Sequence, residues 1–262
     1  MAAWERGQPG RLQRAERPRA QPTSDKWRTT VDQSSEHESD YFPPREIWVL
    51  GAGHFGRLAC KRLIKRHPGA SFRVVDARQD DLNSVQKDLN LPVYPSEAIA
   101  YLVAAKPAES VWIIPAIPVH VAYGWILSRL AGAGKTPLEI DVPSQADDQV
   151  PNPFRLSSKT LYASFATFIC PDNCSEPDEI CTHTGEKRLG NLFDRLGQIA
   201  ISDFRVVVVR SLQLAPGVGG YSMSRLLKAL HAIEGAPGKY LIATSCRCHG
   251  VIDALEWRGD TE

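Results

Sequence analysis

Two groups of residues in this 262-residue chain have the types and spacing to do chemistry. The first is Gly51-Ala52-Gly53-His54-Phe55-Gly56, a G-x-G-x-x-G run. Asp76 follows 20 residues after its last glycine, with Arg78 close behind. The run sits between an apolar strand-like segment, Glu46-Ile47-Trp48-Val49-Leu50, and a helical pattern carried by Phe55, Leu58, Ala59 and Leu63. In that context the first glycine permits a tight turn. The second leaves the backbone open to a pyrophosphate, and the third lets the helix pack on the strand. Phosphates would rest on free amides of Gly51–Gly56 at the helix N-terminus, where the macrodipole favours negative charge. A carboxylate at Asp76 accepts hydrogen bonds from a ribose diol and repels a 2′-phosphate. The expected ligand is therefore NAD(H) rather than NADP(H), with Arg78 softening the preference.

The second group is made of thiols. Cys170, Cys174 and Cys181 follow a C-x3-C-x6-C spacing, and Cys246 and Cys248 lie far along the chain in Cys246-Arg247-Cys248-His249. Five of the six cysteines thus fall in two short polar loops, each after a strand-like run. Thiolates are soft ligands, and such loops can converge on one ion. The expected centre is zinc or an iron–sulfur cluster held by Cys170, Cys174, Cys181 and either Cys246 or Cys248, with His183 or His249 able to replace one thiolate. A redox pair of Cys246 and Cys248 is the alternative. Cys60 falls on the first helix and is expected to pack.

Two further features bear on chemistry. His120 follows the fourth apolar strand, Val111–Ile114, close to where a nicotinamide would lie. It is a candidate catalytic proton donor, or a helix-start histidine with a local partner. Pro216-Gly217-Val218-Gly219-Gly220-Tyr221-Ser222 reads as a loop from a strand into a helix, with Ser222 as its N-cap. It lacks the Lys-Ser/Thr ending of a nucleotide-hydrolysing P-loop.

The elements that must position these residues follow from apolar periodicity. Residues 1–44 are rich in Arg, Gln, Glu, Ser and Pro and are expected to form an unstructured tail. From 45 to 145, strand and helix patterns alternate: strands at 46–50, 72–75, 93–94, 111–114 and 138–140, with a first helix carried by Phe55–Leu63 and stopped by His67-Pro68-Gly69, and further helices at about 80–89, 96–105 and 119–131. That alternation predicts a Rossmann-type α/β domain with a parallel sheet. Residues 143–159 read as a linker. The remainder, 146–262, reads as a smaller α+β domain carrying the cysteine-rich metal site.

Whole-chain properties narrow the function. There are 31 Lys and Arg against 30 Asp and Glu, a net charge of +1, so no nucleic-acid partner is expected. No apolar run approaches the roughly 20 residues of a membrane span, and a cytoplasmic address is expected by default. A small-molecule substrate or redox partner would accompany the nucleotide. Homo-oligomer formation is left open.

Leu50-Gly51-Ala52-Gly53-His54-Phe55-Gly56 followed by Val74-Val75-Asp76 resembles the first βαβ unit of the TrkA-N (RCK-like) group, over about 100 residues. The resemblance implies a Rossmann fold and NAD(H) or a related nucleotide as ligand, often as a regulatory signal. Ile113-Ile114-Pro115-Ala116-Ile117-Pro118-Val119-His120 is similar to the segment after the fourth strand in Gfo/Idh-type oxidoreductases. Ile140 stands where that group has the lysine after its glutamate. Together these readings point to an NAD-linked oxidoreductase with a Cys-ligated metal or iron–sulfur centre. The alternatives are a nucleotide-sensing regulator with structural zinc, or an assembly role using a retained nucleotide fold.

Overall fold

The computed structural model describes residues 41–258. These residues form a mixed α/β unit built on two six-stranded sheets. Most of the tail expected at 1–44 lies outside the described residues. Its last residues are ordered by packing: the rings of Tyr41 and Phe42 lie 5.8 and 5.4 Å from that of Trp112.

The first sheet contains β1 (Glu46–Leu50), β2 (Ser71–Asp76), β3 (Val93–Pro95) and β4 (Trp112–Pro115) in the order β3-β2-β1-β4, all parallel. β1 is almost continuously apolar because both of its faces are covered. Ile47 and Val49 face α1 (His54–Arg66) and α2 (Gln79–Leu89), whereas Trp48 and Leu50 face α3 (Ala98–Ala105) and α4 (Val121–Gly132). Cys60 is fully buried on α1, as expected of a packing residue, and burial pushes its thiol up to about 12.

The two halves of the chain exchange strands, so the boundary expected at residue 145 does not separate the sheets. The segment expected as the fifth parallel strand, β5 (Thr136–Ile140), leaves the first sheet and pairs antiparallel with the last strand of the chain. Its place beside β4 is taken from the second half. A hairpin of β9 (Leu212–Ala215) and β10 (Val218–Ser222) inserts there, with β10 antiparallel to β4. The glycine run at 216–220 is therefore a hairpin turn and a strand, not a phosphate-sized loop. Gly220 is required at this crossing, because a Cβ would lie 2.7 Å from the Ile113 carbonyl oxygen. Ser222 does precede α6 (Met223–Glu234), but its hydroxyl bonds Ser224 Oγ at 2.7 Å instead of capping the helix.

The second sheet runs β6-β7-β12-β11-β8, with β5 also on β12. Its strands are β6 (Phe154–Arg155), β7 (Thr160–Ser164), β8 (Phe204–Arg210), β11 (Gly238–Ser245) and β12 (His249–Arg258). Helices α3, α4 and α6 are sandwiched between the two sheets in one continuous core, with Trp125, Ile126 and Leu230 meeting Tyr240, Ile242 and Trp257. The outer face of the second sheet is covered by α5 (Leu192–Gly197) through Leu192 and Leu196. No helix among the described residues is long and apolar enough to cross a membrane.

The stretch read as a linker, 143–159, is ordered. A 3-10 turn at Ser144–Gln149 is latched by Arg155. Its Nε and Nη2 donate to Asp147 Oδ1 and Oδ2 at 3.0 and 2.8 Å, and Nη1 donates to the Val142 carbonyl at 3.1 Å. The Arg155 hydrogen bond holds the Asp147 carboxyl below its ordinary range, against partial burial, which raises it. A lowered folded-state pKa adds stability above the unfolded pKa and loses it as pH falls through the folded value. Asp147→Asn is expected to cost about 1 kcal/mol at neutral pH. Urea titrations of both proteins should show that difference closing as the pH falls below about 4.

Candidate functional site

The β1–α1 turn is fixed by its neighbours. Gly51 donates its amide to the Val75 carbonyl at 2.7 Å, and Ala116 donates to the Leu50 carbonyl at 2.8 Å. Gly51 has φ +114°, and a Cβ there would lie 2.5 Å from the Ala116 carbonyl oxygen, so glycine is demanded twice over. At Gly56 a Cβ would run into the Gly51 carbonyl; its absence lets α1 close onto the turn. Gly53 differs from both. It caps α1 without a side-chain hydrogen bond, and a Cβ there would meet nothing within 4 Å. The chain thus presents the start of α1 to open space, with no acidic residue in the first turn. Ala52 is buried in the turn, while His54 and Phe55 are exposed at its rim with edge-to-face rings 5.2 Å apart.

Asp76 closes the other side. It ends β2, which lies beside β1, so its carboxylate reaches the turn. Oδ2 accepts from the Ala52 amide at 2.6 Å, and Oδ1 accepts from the Arg78 amide at 2.8 Å. Each oxygen keeps a lone pair for a further donor. The Arg78 side chain is largely exposed and pairs with Asp81 at 3.3 Å, an ion that Arg57 also reaches at 3.5 Å. The structure therefore brings Gly51, Ala52, Gly53, Gly56, Asp76 and Arg78 to one edge.

His120 precedes α4 and is held by side chains of the second sheet. Its Nδ1 lies 2.6 Å from Asp253 Oδ2 and its Nε2 2.8 Å from Thr244 Oγ1, with the side chain 5 % exposed. Asp253 Oδ1 accepts from Thr160 Oγ1 at 2.6 Å. Both ring nitrogens are thus committed to the second sheet, joining the start of α4 to β7, β11 and β12. The sequence offered no sign of these partners, since they lie 124 and 133 residues away.

The thiol loops meet. Cys170 Sγ lies 3.5 Å from His249 Nε2, and Cys246 Sγ lies 3.8 Å from His249 Nδ1. Arg188 Nη1 donates to Cys248 Sγ at 3.1 Å, and Nη2 donates to the Arg247 carbonyl at 3.0 Å. Burial and the neighbouring Cys174, Cys248 and Cys181 thiols raise Cys170, whereas the Thr184 and His183 amides lower Cys181. All six cysteines are free, and among the described residues no three His, Cys, Asp or Glu side chains stand as a formed coordination set. His183 stacks on Phe168 at 4.5 Å instead of facing the thiols. Arg210 is buried with its guanidinium 4.2 Å over the Phe193 ring.

Comparison with known proteins bears on the half of the chain that carries these loops. Residues 122–258, just over half of the chain, match the family AF_1314_C, described as "Uncharacterized protein, C-terminal domain". An "Uncharacterized protein" of Archaeoglobus fulgidus is 41 % identical over 220 residues, covering 79 % of this chain and 98 % of that relative. The chain belongs to the AF_1314_C family. The matched AF_1314_C region contains α4, both thiol loops, Asp253 and the whole β9–β10 insertion. It begins after the β1–α1 turn and so carries no information about that turn.

Proposed function

We propose that this protein binds NAD(H) at the β1–α1 turn and serves as an NAD-linked redox protein. The observation that carries this reading is Asp76, with one carboxylate oxygen on the Ala52 amide and the other on the Arg78 amide, beside the open backbone of Gly53. The parallel order β3-β2-β1-β4 supports it, being one half of the doubly wound sheet that holds dinucleotides across the carboxyl ends of its strands. The pyrophosphate would lie on the amides at the start of α1, drawn by the helix dipole. The five basic residues of that helix, with no acidic one, add to the attraction: Arg57, Lys61, Arg62, Lys65 and Arg66. Asp76 would accept from the adenosine ribose hydroxyls and repel a 2′-phosphate. The likeness of the first βαβ unit to the TrkA-N group agrees with this ligand.

A second reading has an observation in its favour. His120, the candidate proton donor, has both nitrogens bound by Asp253 and Thr244. That arrangement favours a nucleotide sensor that performs no proton transfer of its own. Turnover of NADH with artificial electron acceptors separates the two readings.

Asp76→Ala tests the ligand directly. Its Kd for NADH is expected to rise about tenfold, some 1.4 kcal/mol, while that for NADPH stays level or falls. Fluorescence titration with each nucleotide checks this. An unchanged NADH affinity would remove Asp76 from the site.

A further inference from the structure

The segment 165–191 has no helix or strand and only an isolated bridge, Ile180 to Lys187. Three of its large apolar side chains face outward: Ile169 is 95 % exposed, Leu189 80 % and Ile180 54 %. A stretch of that length with no core of its own calls for some other tie. It is nevertheless docked at several points. Arg62 on α1 donates to the carbonyls of Asp172 and Pro216 at 2.6 and 2.9 Å, and Gly217 donates to the Cys174 carbonyl at 2.8 Å. Phe165 donates to the Cys248 carbonyl and Leu192 to the Arg247 carbonyl, each at 2.9 Å. Every one of these ties converges on the thiol-bearing turns.

We propose that Cys170, Cys174, Cys181 and one thiol of the β11–β12 turn, Cys246 or Cys248, bind one Zn2+ as a four-thiolate structural site that staples segment 165–191 onto that turn. The turns are already formed. Cys174 donates its amide to the Pro171 carbonyl at 3.0 Å, closing the Cys170–Cys174 turn. Cys181 heads a second turn, donating to Glu186 O and accepting at its own carbonyl from Gly185, both at 2.8 Å. The hairpin that follows carries Arg188 onto Cys248 Sγ. The sulfurs are also prepared for negative charge: Cys174 Sγ accepts from the Glu176 amide at 3.4 Å, and the Arg188 guanidinium faces Cys248 at 3.1 Å. Hydrogen bonds and cations of this kind orient and tune metal thiolates.

The Cys246 sulfur likewise accepts from the Cys248 and His249 amides at 3.4 Å, so either thiol of the β11–β12 turn can complete the site. Zinc suits this role because its structural sites are closed and tetrahedral and bind four thiolates.

Elemental analysis of the full chain, purified anaerobically without added metal, is expected to give one zinc per chain. Ser substitution at Cys170, Cys174 or Cys181, or at Cys246 and Cys248 together, should lower zinc content about fivefold or more. Cys60→Ser should retain it. If the substituted chains fail to fold, alkylation of the wild-type protein decides. Four of the five loop thiols should be protected until a chelator is added. Iron with inorganic sulfide in place of zinc, no bound metal, or zinc kept by the Cys246→Ser, Cys248→Ser double variant would each overturn the proposal.

Discussion

Gly53→Val is expected to weaken NADH binding about 100-fold, some 2.8 kcal/mol, while barely moving thermal unfolding. The contrast between the three glycines makes this substitution informative. Cβ atoms at Gly51 and Gly56 collide with backbone carbonyls, so changes there damage the turn whether or not it binds a ligand. At Gly53 the backbone has φ −67° and ψ −162°, which any L residue adopts, and an added Cβ meets nothing within 4 Å. The cost to folding is limited to the weaker N-cap preference of valine, under about 1 kcal/mol. The valine methyls would instead occupy the space in which a pyrophosphate must approach the amides of α1. Isothermal titration beside differential scanning calorimetry reads the two effects separately. A Gly53→Val protein that binds NADH as well as wild type would remove the turn from nucleotide binding.

Asp253→Ala is expected to destabilise the protein by about 3–5 kcal/mol, a large part of the stability of a typical domain. Asp253 is 6 % exposed and holds both His120 and Thr160 at 2.6 Å. Its removal leaves the buried histidine Nδ1 and the half-buried threonine hydroxyl without an acceptor, a fully buried group of this kind costing about 1–3 kcal/mol. It also cuts a tie between α4 and β12, and hence between the helical layer and the second sheet. The midpoint of thermal unfolding should fall by roughly 10 °C. Asp253→Asn, which keeps an acceptor for one partner, should cost clearly less. A loss below about 1 kcal/mol on denaturant titration would show that the buried triad is not a structural tie.

The first half of the fold was legible because its information is local. β1, α1 and β2 are set by runs of apolar residues with the right period, and the Gly51–Gly56 turn is set by its own glycines. Asp76 was found from spacing alone, because a strand and a helix of ordinary length carry it to the turn. β5 was found as a strand but expected in the wrong sheet. Its alternation of residues is the same whether it lies beside β4 or beside β12. The β9–β10 insertion depends on pairing more than 100 residues along the chain, which no local pattern encodes. The same distance hid the partners of His120, so its position before a helix invited a catalytic reading. For the thiol loops, composition indicated convergence. The donors that meet the Cys246 and Cys248 sulfurs, loop amides and Arg188, are not given by spacing.

Titration of the purified wild-type chain with NADH and with NADPH, by calorimetry under one buffer, is the most direct test of nucleotide binding through Asp76. NADH should bind at one site per chain, at least about tenfold more tightly than NADPH, because the Asp76 carboxylate would face the ribose 2′ position of a nucleotide bound at this turn. No measurable NADH binding, or tighter binding of NADPH, would contradict it.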